Sequence, residues 1–101
     1  MAATPERLVK NKVVAQLKAL GAYYFYPVNG GFGASGVPDI VACYKGRFIG
    51  IECKAGGNTP TSLQLLNLNK IEKTGGVALV IDERNVDTLA TILTEADRGV
   101  S

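Results

Sequence analysis

Gly36-Val-Pro-Asp-Ile-Val-Ala-Cys-Tyr-Lys-Gly-Arg-Phe-Ile-Gly-Ile-Glu-Cys-Lys54 is the stretch that decides the fold. Two short apolar runs flank Lys45-Gly46, a two-residue turn of the kind that closes a hairpin. Pairing Tyr44 with Arg47 across the turn fixes the register. Cys43 then faces Phe48, Cys53 faces Pro38, and Asp39 lies opposite Glu52. Directly opposed residues of an antiparallel pair have Cβ atoms about 4.5–5.5 Å apart, and like charges there repel. Alternation puts Lys54 on the face of Glu52, with Cys53 on the other. A salt bridge on a solvated face is the bland reading of this trio. Yet one lysine neutralises only one of two acids, and the flanking sequence is apolar. A site for a cation accounts for both carboxylates.

Towards the amino terminus, Thr4-Pro5-Glu6 starts a helix, with Thr4 as N-cap and Pro5 at the first helical position. It should run to about Leu20 and stop at Gly21. Val9, Val13, Leu17 and Leu20 fall on one stripe at helical spacing, with Glu6 at its head. Glu6 is either a carboxylate well placed near a helix amino terminus or one that points inward, towards the acid pair. Ala22 to Val28 reads as a β segment rich in aromatics, ended or edged by Pro27. Its tyrosines suit a core and rim, or stacking on nucleobases. Asn29 to Gly36 is a glycine-rich loop whose Gly31-Phe-Gly-Ala-Ser-Gly36 matches GxGxxG. A dinucleotide fingerprint needs a helix to open there, and Val37-Pro38 biases the chain away from one. What remains is a loop beside Asp39, with Ser35 as a possible hydrogen-bond partner for a phosphate.

Towards the carboxyl terminus, Thr59-Pro60 signals a second helix, running to about Thr74 and ending at Gly75-Gly76. Gln64, Leu68 and Ile71 share one face of it, while Leu63 and Leu66 point elsewhere. Gln64 is thus hydrogen-bonded structurally or aimed at the site. Apolar residues on two faces suggest contact with the sheet and with something else, such as a second copy of the chain. Val77 to Ile81 is a continuous apolar run, as expected of a strand covered on both faces. Asp82 to Asn85 forms a turn, Val86 to about Glu95 a last amphipathic helix, and the end from Asp97 should fray. The order is α-β-β-β-α-β-α, a single α/β domain spanning 1–101.

Composition narrows the chemistry. The net charge of +2 is too small to argue for nucleic-acid binding alone, and the basic residues are spread along the chain. If acids gather in one site, the rest of the surface is more basic than the total suggests. No apolar run reaches membrane-spanning length, and no signal-peptide pattern is present, so a cytosolic location is expected. The two cysteines lie several rungs apart in the hairpin and read as buried free thiols rather than a disulfide. The chain has no histidine, which removes Ser-His-Asp and Cys-His catalysis and most zinc sites. Any catalysis must run on carboxylates, lysine and a hard metal ion.

Oxygen ligands of this kind select Mg²⁺ or Mn²⁺, which take one or two carboxylates plus substrate phosphate oxygens. Such an ion eases loss of a proton from water and polarises a phosphoryl oxygen, and Lys54 beside it would orient the water or stabilise charge on phosphorus. The chemistry is phosphodiester hydrolysis.

Pro38-Asp39, then Glu52-Cys53-Lys54, between a helix carrying Glu6 and one carrying Gln64, resembles the PD-(D/E)XK nuclease superfamily. Gly36-Val-Pro-Asp39, Glu52-Cys-Lys54, Thr59-Pro60, Gln64 and Gly75-Gly76 resemble its VRR-NUC branch, the virus-type replication-repair nucleases. The resemblance extends from Glu6 to about Ile81. It implies a restriction-endonuclease-like core, a mixed central sheet flanked by helices. Asp39, Glu52 and the Cys53 carbonyl would bind Mg²⁺, or Mn²⁺ in its place, and Lys54 would be catalytic. Glu6 (for a second metal or its water shell) and Gln64 would support the site. Ser35, Lys10, Lys45 and Arg47 are candidates to touch DNA. The implied activity is an endonuclease on branched DNA such as four-way junctions, acting as a homodimer in a bacterial or phage-infected cell. Nucleases of flaps, nicked duplex or RNA are alternatives, as is a non-catalytic DNA-binding or assembly module.

Overall fold

The computed structural model describes residues 4–28 and 35–97. Six residues of the glycine-rich loop, 29–34, and the end expected to fray past Asp97 lie outside them. Helix α1 (Pro5–Leu20) is followed by strands β1 (Tyr23–Phe25), β2 (Ile40–Tyr44) and β3 (Arg47–Cys53). Helix α2 (Ser62–Lys73), strand β4 (Val77–Ile81), a 3₁₀ turn (Val86–Thr88) and helix α3 (Leu89–Asp97) complete the chain. The expected element order stands. The sheet runs β1-β2-β3-β4, with the first three strands antiparallel and β4 parallel to β3. It is therefore mixed, as expected.

The ends of α1 follow from its sequence. The Thr4 hydroxyl accepts from the Arg7 N–H at 3.1 Å, and Gly21 closes the helix in the left-handed region at φ 76°. Val9, Val13 and Leu17 are buried along the predicted stripe. They pack with Ile40, Ala42, Ile49, Ile51, Cys53 and Ile81 from one face of the sheet and with Val86, Leu89 and Leu93 from the carboxyl-terminal segment. Gln16 bridges these helices: its side chain donates to the Val86 carbonyl at 2.7 Å and accepts from the Ala90 N–H at 3.1 Å. Helix α2 packs on β3 and β4 from the opposite face, where Gly50 lies under Ile71. Central β3 is covered on both faces and stays buried from Ile49 to Cys53.

Four expectations need correcting. The second helix begins at Ser62 with Thr61 as N-cap, two residues beyond Thr59. The Thr61 hydroxyl accepts from the Gln64 N–H, and the Gln64 side chain accepts from the Thr61 N–H at 2.9 Å. This reciprocal capping box satisfies two orphan donors, and Thr59 makes no such pair. Strand β4 is an edge strand whose residues before Ile81 are only half-buried, because it has a neighbour on one side only. Cys43 is exposed and only Cys53 is buried: Cys43 lies on the half of the sheet that α2 does not reach. The last helix opens as a 3₁₀ turn and becomes α-helical at Leu89.

Two glycines let the segment before β2 approach its neighbours. A Cβ on Gly36, at φ +77°, would stand 2.9 Å from the Leu63 main chain on α2. One on Gly50 would stand 2.5 Å from Ile71 Cδ1 and 3.0 Å from Pro38 Cγ. Pro38 is thereby seated on β3, and Asp39 follows it. Gly57 also has positive φ, +80°, but faces open space. Gly36→Ala combines left-handed strain with overpacking against backbone, each costing about 1–3 kcal/mol, whereas Gly57→Ala carries the strain alone. Urea unfolding should show Gly36→Ala as the less stable of the two by at least about 1 kcal/mol.

Candidate active site

The Lys45-Gly46 turn holds both residues at positive φ, 53° and 78°, the backbone of a type I′ hairpin turn. The register follows as read: Tyr44 pairs with Arg47, Cys43 with Phe48, and Ile40 with Ile51. Paired strand structure stops at that last rung. Beyond it the Asp39 carboxylate accepts the Cys53 N–H at 2.8 Å, so a charged side chain takes over where the main-chain ladder ends. On the other side the Lys54 N–H donates to the Ile81 carbonyl at 2.9 Å. The backbone of the Glu-Cys-Lys segment is thus clamped from both neighbouring strands.

Glu52 is 2 % exposed. One of its oxygens meets the Lys54 ammonium at 3.3 Å. Its other oxygen, Oε1, is buried with no donor among the described residues. Burial pushes the Glu52 carboxyl up to about 7, aided by the Asp39 charge and opposed by Lys54. A proton held between the two acids would supply the donor that Oε1 lacks. Cys53, on the opposite face, has its thiol pushed up to about 12 by burial, with the Asp39 and Glu52 carboxylates adding to the effect. It is an inert packing group there, and only its main chain borders the site.

Asp39, Glu52 and Lys54 are therefore brought together on one side of the sheet. Glu6 is not joined to them by any hydrogen bond or ion pair among the described residues. It is exposed on the first turn of α1, lines a cavity with Ala55, Gly56 and Asn58, and its charge is felt by the Cys53 thiol. Helix α1 covers the Cys53 face, which places Glu6 across the sheet's end from the acid pair. Gln64 is half-buried in the first turn of α2, its carbonyl oxygen committed to the capping box. The Ser35 carbonyl accepts from the Asn67 side chain at 3.2 Å. Nothing in the sequence pattern singled out that tie, which joins the approach to Asp39 to α2. Lys10 lies 4.6 Å from the Tyr26 ring centroid and Lys45 5.9 Å from that of Tyr44. Arg47 is exposed at the start of β3.

Among the described residues no group of three or more His, Cys, Asp or Glu side chains is gathered as a metal site. The fit rests on two carboxylates, one presenting an undonated buried oxygen, with the Cys53 carbonyl as a main-chain candidate. Such a sparse, all-oxygen set suits an ion that keeps several of its waters, as Mg²⁺ does.

The acid pair also makes stability depend on pH. Glu52 binds its proton more tightly folded than unfolded, so its contribution is fully present below about pH 4.5, its ordinary value. That contribution is lost as pH rises through about 7. In EDTA the unfolding free energy should fall across this window by roughly 2–3 kcal/mol. Glu52→Gln should flatten the fall, as read by urea titrations at pH 5 and pH 8.

No protein-family model matches the sequence. A curated protein of Acyrthosiphon pisum secondary endosymbiont phage 1, named "Putative nuclease p44", is 29% identical over 85 residues, covering 83% of this chain and 89% of the relative. A solved structure described as a VRR_NUC domain superposes with a TM-score of 0.74 at 24% identity, covering 88% of this chain and 97% of the other. The mixed four-stranded sheet with helices on both faces is thus the fold of a VRR_NUC domain, of the restriction-endonuclease-like class.

Proposed function

We propose that this chain is a metal-dependent endonuclease that hydrolyses DNA phosphodiester bonds. The observation that carries the proposal is the buried Glu52 Oε1, undonated among the described residues, on a carboxyl that feels the Asp39 charge, with Lys54 on the other oxygen. A buried acid pair raises its own proton affinity and costs stability unless a cation joins it. The phage relative's name and the VRR_NUC fold point to the same reading.

Asp39, Glu52 and the Cys53 carbonyl would hold Mg²⁺, or Mn²⁺ in its place. When bound, the ion supplies positive charge at the phosphoryl oxygens and eases proton loss from water. Asp39, fixed by the Cys53 N–H, supplies a carboxylate whose direction does not depend on side-chain freedom. Lys54, tied to Glu52 and anchored through its main chain to β4, holds an ammonium at the edge of the pair. There it would orient the attacking water or stabilise charge on the pentacovalent phosphorus. Glu6 and Gln64 would act at most from the rim, Gln64 by fixing the start of α2.

The substrate we favour is branched DNA such as a four-way junction, cut by a homodimer whose two-fold axis sets two sites against two strands. Support for self-association comes from α2, where Leu63, Leu65 and Leu66 are 45–49% exposed on one helix. Lys10, Lys45, Arg47 and Ser35 are proposed DNA contacts, chosen for charge or position around the loop and hairpin.

The test is cleavage of a panel of four-way junction, flap, nicked duplex, single-stranded DNA and RNA in Mg²⁺ against EDTA. Asp39→Asn is the sharper substitution, because its amide oxygen can still accept the Cys53 N–H while the charge is gone. Asp39→Asn and Lys54→Met should each lower the single-turnover rate by about 10²-fold or more with circular dichroism unchanged. Cleavage persisting in EDTA, or in Asp39→Asn, sinks the assignment. Tight DNA binding without cleavage of any substrate favours the binding-module alternative.

A further inference from the structure

The face of the sheet that carries Asp39 and Glu52 is covered only in part. Helix α2 lies over β3 and β4, and among the described residues no helix covers the β1–β2 side of that face. In the observed register Tyr23 pairs with Cys43, and Cys43 with Phe48, so one row of this face crosses three strands. Tyr23 is 71% exposed and Phe48 49%, and Cys43 between them is also exposed. In the next row Phe25, 48% exposed, pairs with Val41. The Tyr23 and Phe25 rings stand 6.3 Å apart at 55°, tilted rather than stacked on one another. Tyr24, on the opposite face, packs against the core instead.

Exposed aromatic side chains on β1 and β3, with exposed Cys43 of β2 between them, are expensive to leave in water unless something covers them. Position and charge indicate what. Phe25 pairs with Val41, two residues after Asp39, which puts the Phe25 and Asp39 Cα atoms about 8 Å apart by strand geometry. The patch is therefore continuous with the acid pair along the sheet. At its far end Lys70 and Lys73 lie in the last turn of α2, and Gly76, just beyond, abuts the Phe48 carbonyl. Lys45 occupies the adjoining hairpin turn. Glu72 is the acid among these three lysines. An aromatic surface bounded by cations at one end and by the acid pair at the other matches a polyanion that also has flat apolar faces.

We infer that the open β1–β2–β3 surface binds unpaired nucleobases of the strand being cut, stacking them on Tyr23, Phe25 and Phe48 beside the scissile phosphate. This rests on the nuclease reading and deepens it: among branched DNAs it favours those that present unpaired bases next to the cleaved bond. Paired bases offer no free face to these rings, so the preference is for single-stranded segments over continuous duplex. Stacking is indifferent to sequence, since every base has a π face.

The test is fluorescence anisotropy in EDTA, with a labelled single-stranded oligonucleotide and a blunt duplex of equal length. Tyr23→Ala and Phe48→Ala should each weaken single-strand binding by about tenfold or more, and leave duplex binding within about twofold. Phe48→Tyr should retain wild-type affinity. These positions are exposed, so the variants should fold, as checked by circular dichroism. No loss in the alanine variants, or equal loss on both nucleic acids, overturns the inference. So does a shift from dimer to monomer on sedimentation, which would make the patch a contact between copies. If wild type cleaves in Mg²⁺ while the variants bind as it does, stacking alone fails. If wild type neither binds nor cleaves, both readings fail.

Discussion

The hydrogen bond from the Cys53 N–H to the Asp39 carboxylate, 2.8 Å long, is the contact on which the site depends. Pro38 and Asp39 stand just outside the β2 ladder, and an edge amide left bare there would have to find water or another partner. A carboxylate is a stronger acceptor than a carbonyl, and hydrogen bonds to charged groups contribute about 1.5–3 kcal/mol. The bond therefore finishes the pairing of β3 and, in the same step, delivers a negative charge to the side of Glu52. Pro38 seated on Gly50, and Gly36 closed against the Leu63 main chain, keep the segment from swinging away. The placing of the acid pair and the termination of the sheet are one arrangement.

That arrangement opposes stability. Two carboxylates share a buried corner with a single ammonium, so one negative charge is always in excess when both are ionised. The raised proton affinity of Glu52 is the molecule's own answer in the absence of a cation. The cost is borne by the core on the other face, where Val13, Leu17, Ile40, Ile49, Ile51, Ile81, Leu89 and Leu93 are almost completely buried. A well-packed face and a strained face are thus placed back to back across β3. The buried, inert Cys53 side chain belongs to the first and its main chain to the second.

Much of the hairpin was legible because its rules are local. A Lys-Gly turn sets a register, the register sets opposition, and alternation sets faces, so the Asp39–Glu52–Lys54 group could be read from spacing alone. The caps of α1 were legible for the same reason. What failed to show was anything that depends on which helix covers which face. The stripe headed by Glu6 does point at a core, but that core is the Cys53 face rather than the acid face. Burial of Cys43 and double coverage of β4 were misjudged on the same ground, since neither strand order nor helix placement is encoded in a single strand's pattern. The start of α2 is different: Thr61-x-x-Gln64 is a capping-box signature present in the sequence, and Thr59-Pro60 competed with it. With Gln64 read as a cap, its place at the head of an inward stripe needs no ligand to explain it.

The parallel joining of β3 to β4 also explains why the acid face is half open. A parallel connection must cross over the sheet, and the crossing helix settles over the two strands it links. That leaves β1 and β2 without a covering helix on this side among the described residues. Helix α1 covers the other side because it precedes the hairpin and packs with α3. The aromatic row Tyr23–Phe48 and the exposed leucines of α2 are then two separate apolar surfaces, on the sheet and on the outside of the helix lying above it. One flanks the acid pair along the sheet, the other faces away from the sheet. A surface that shares a face with Asp39 and Glu52 is placed to meet whatever they meet, whereas the outer face of α2 can be covered by a second copy without closing the site.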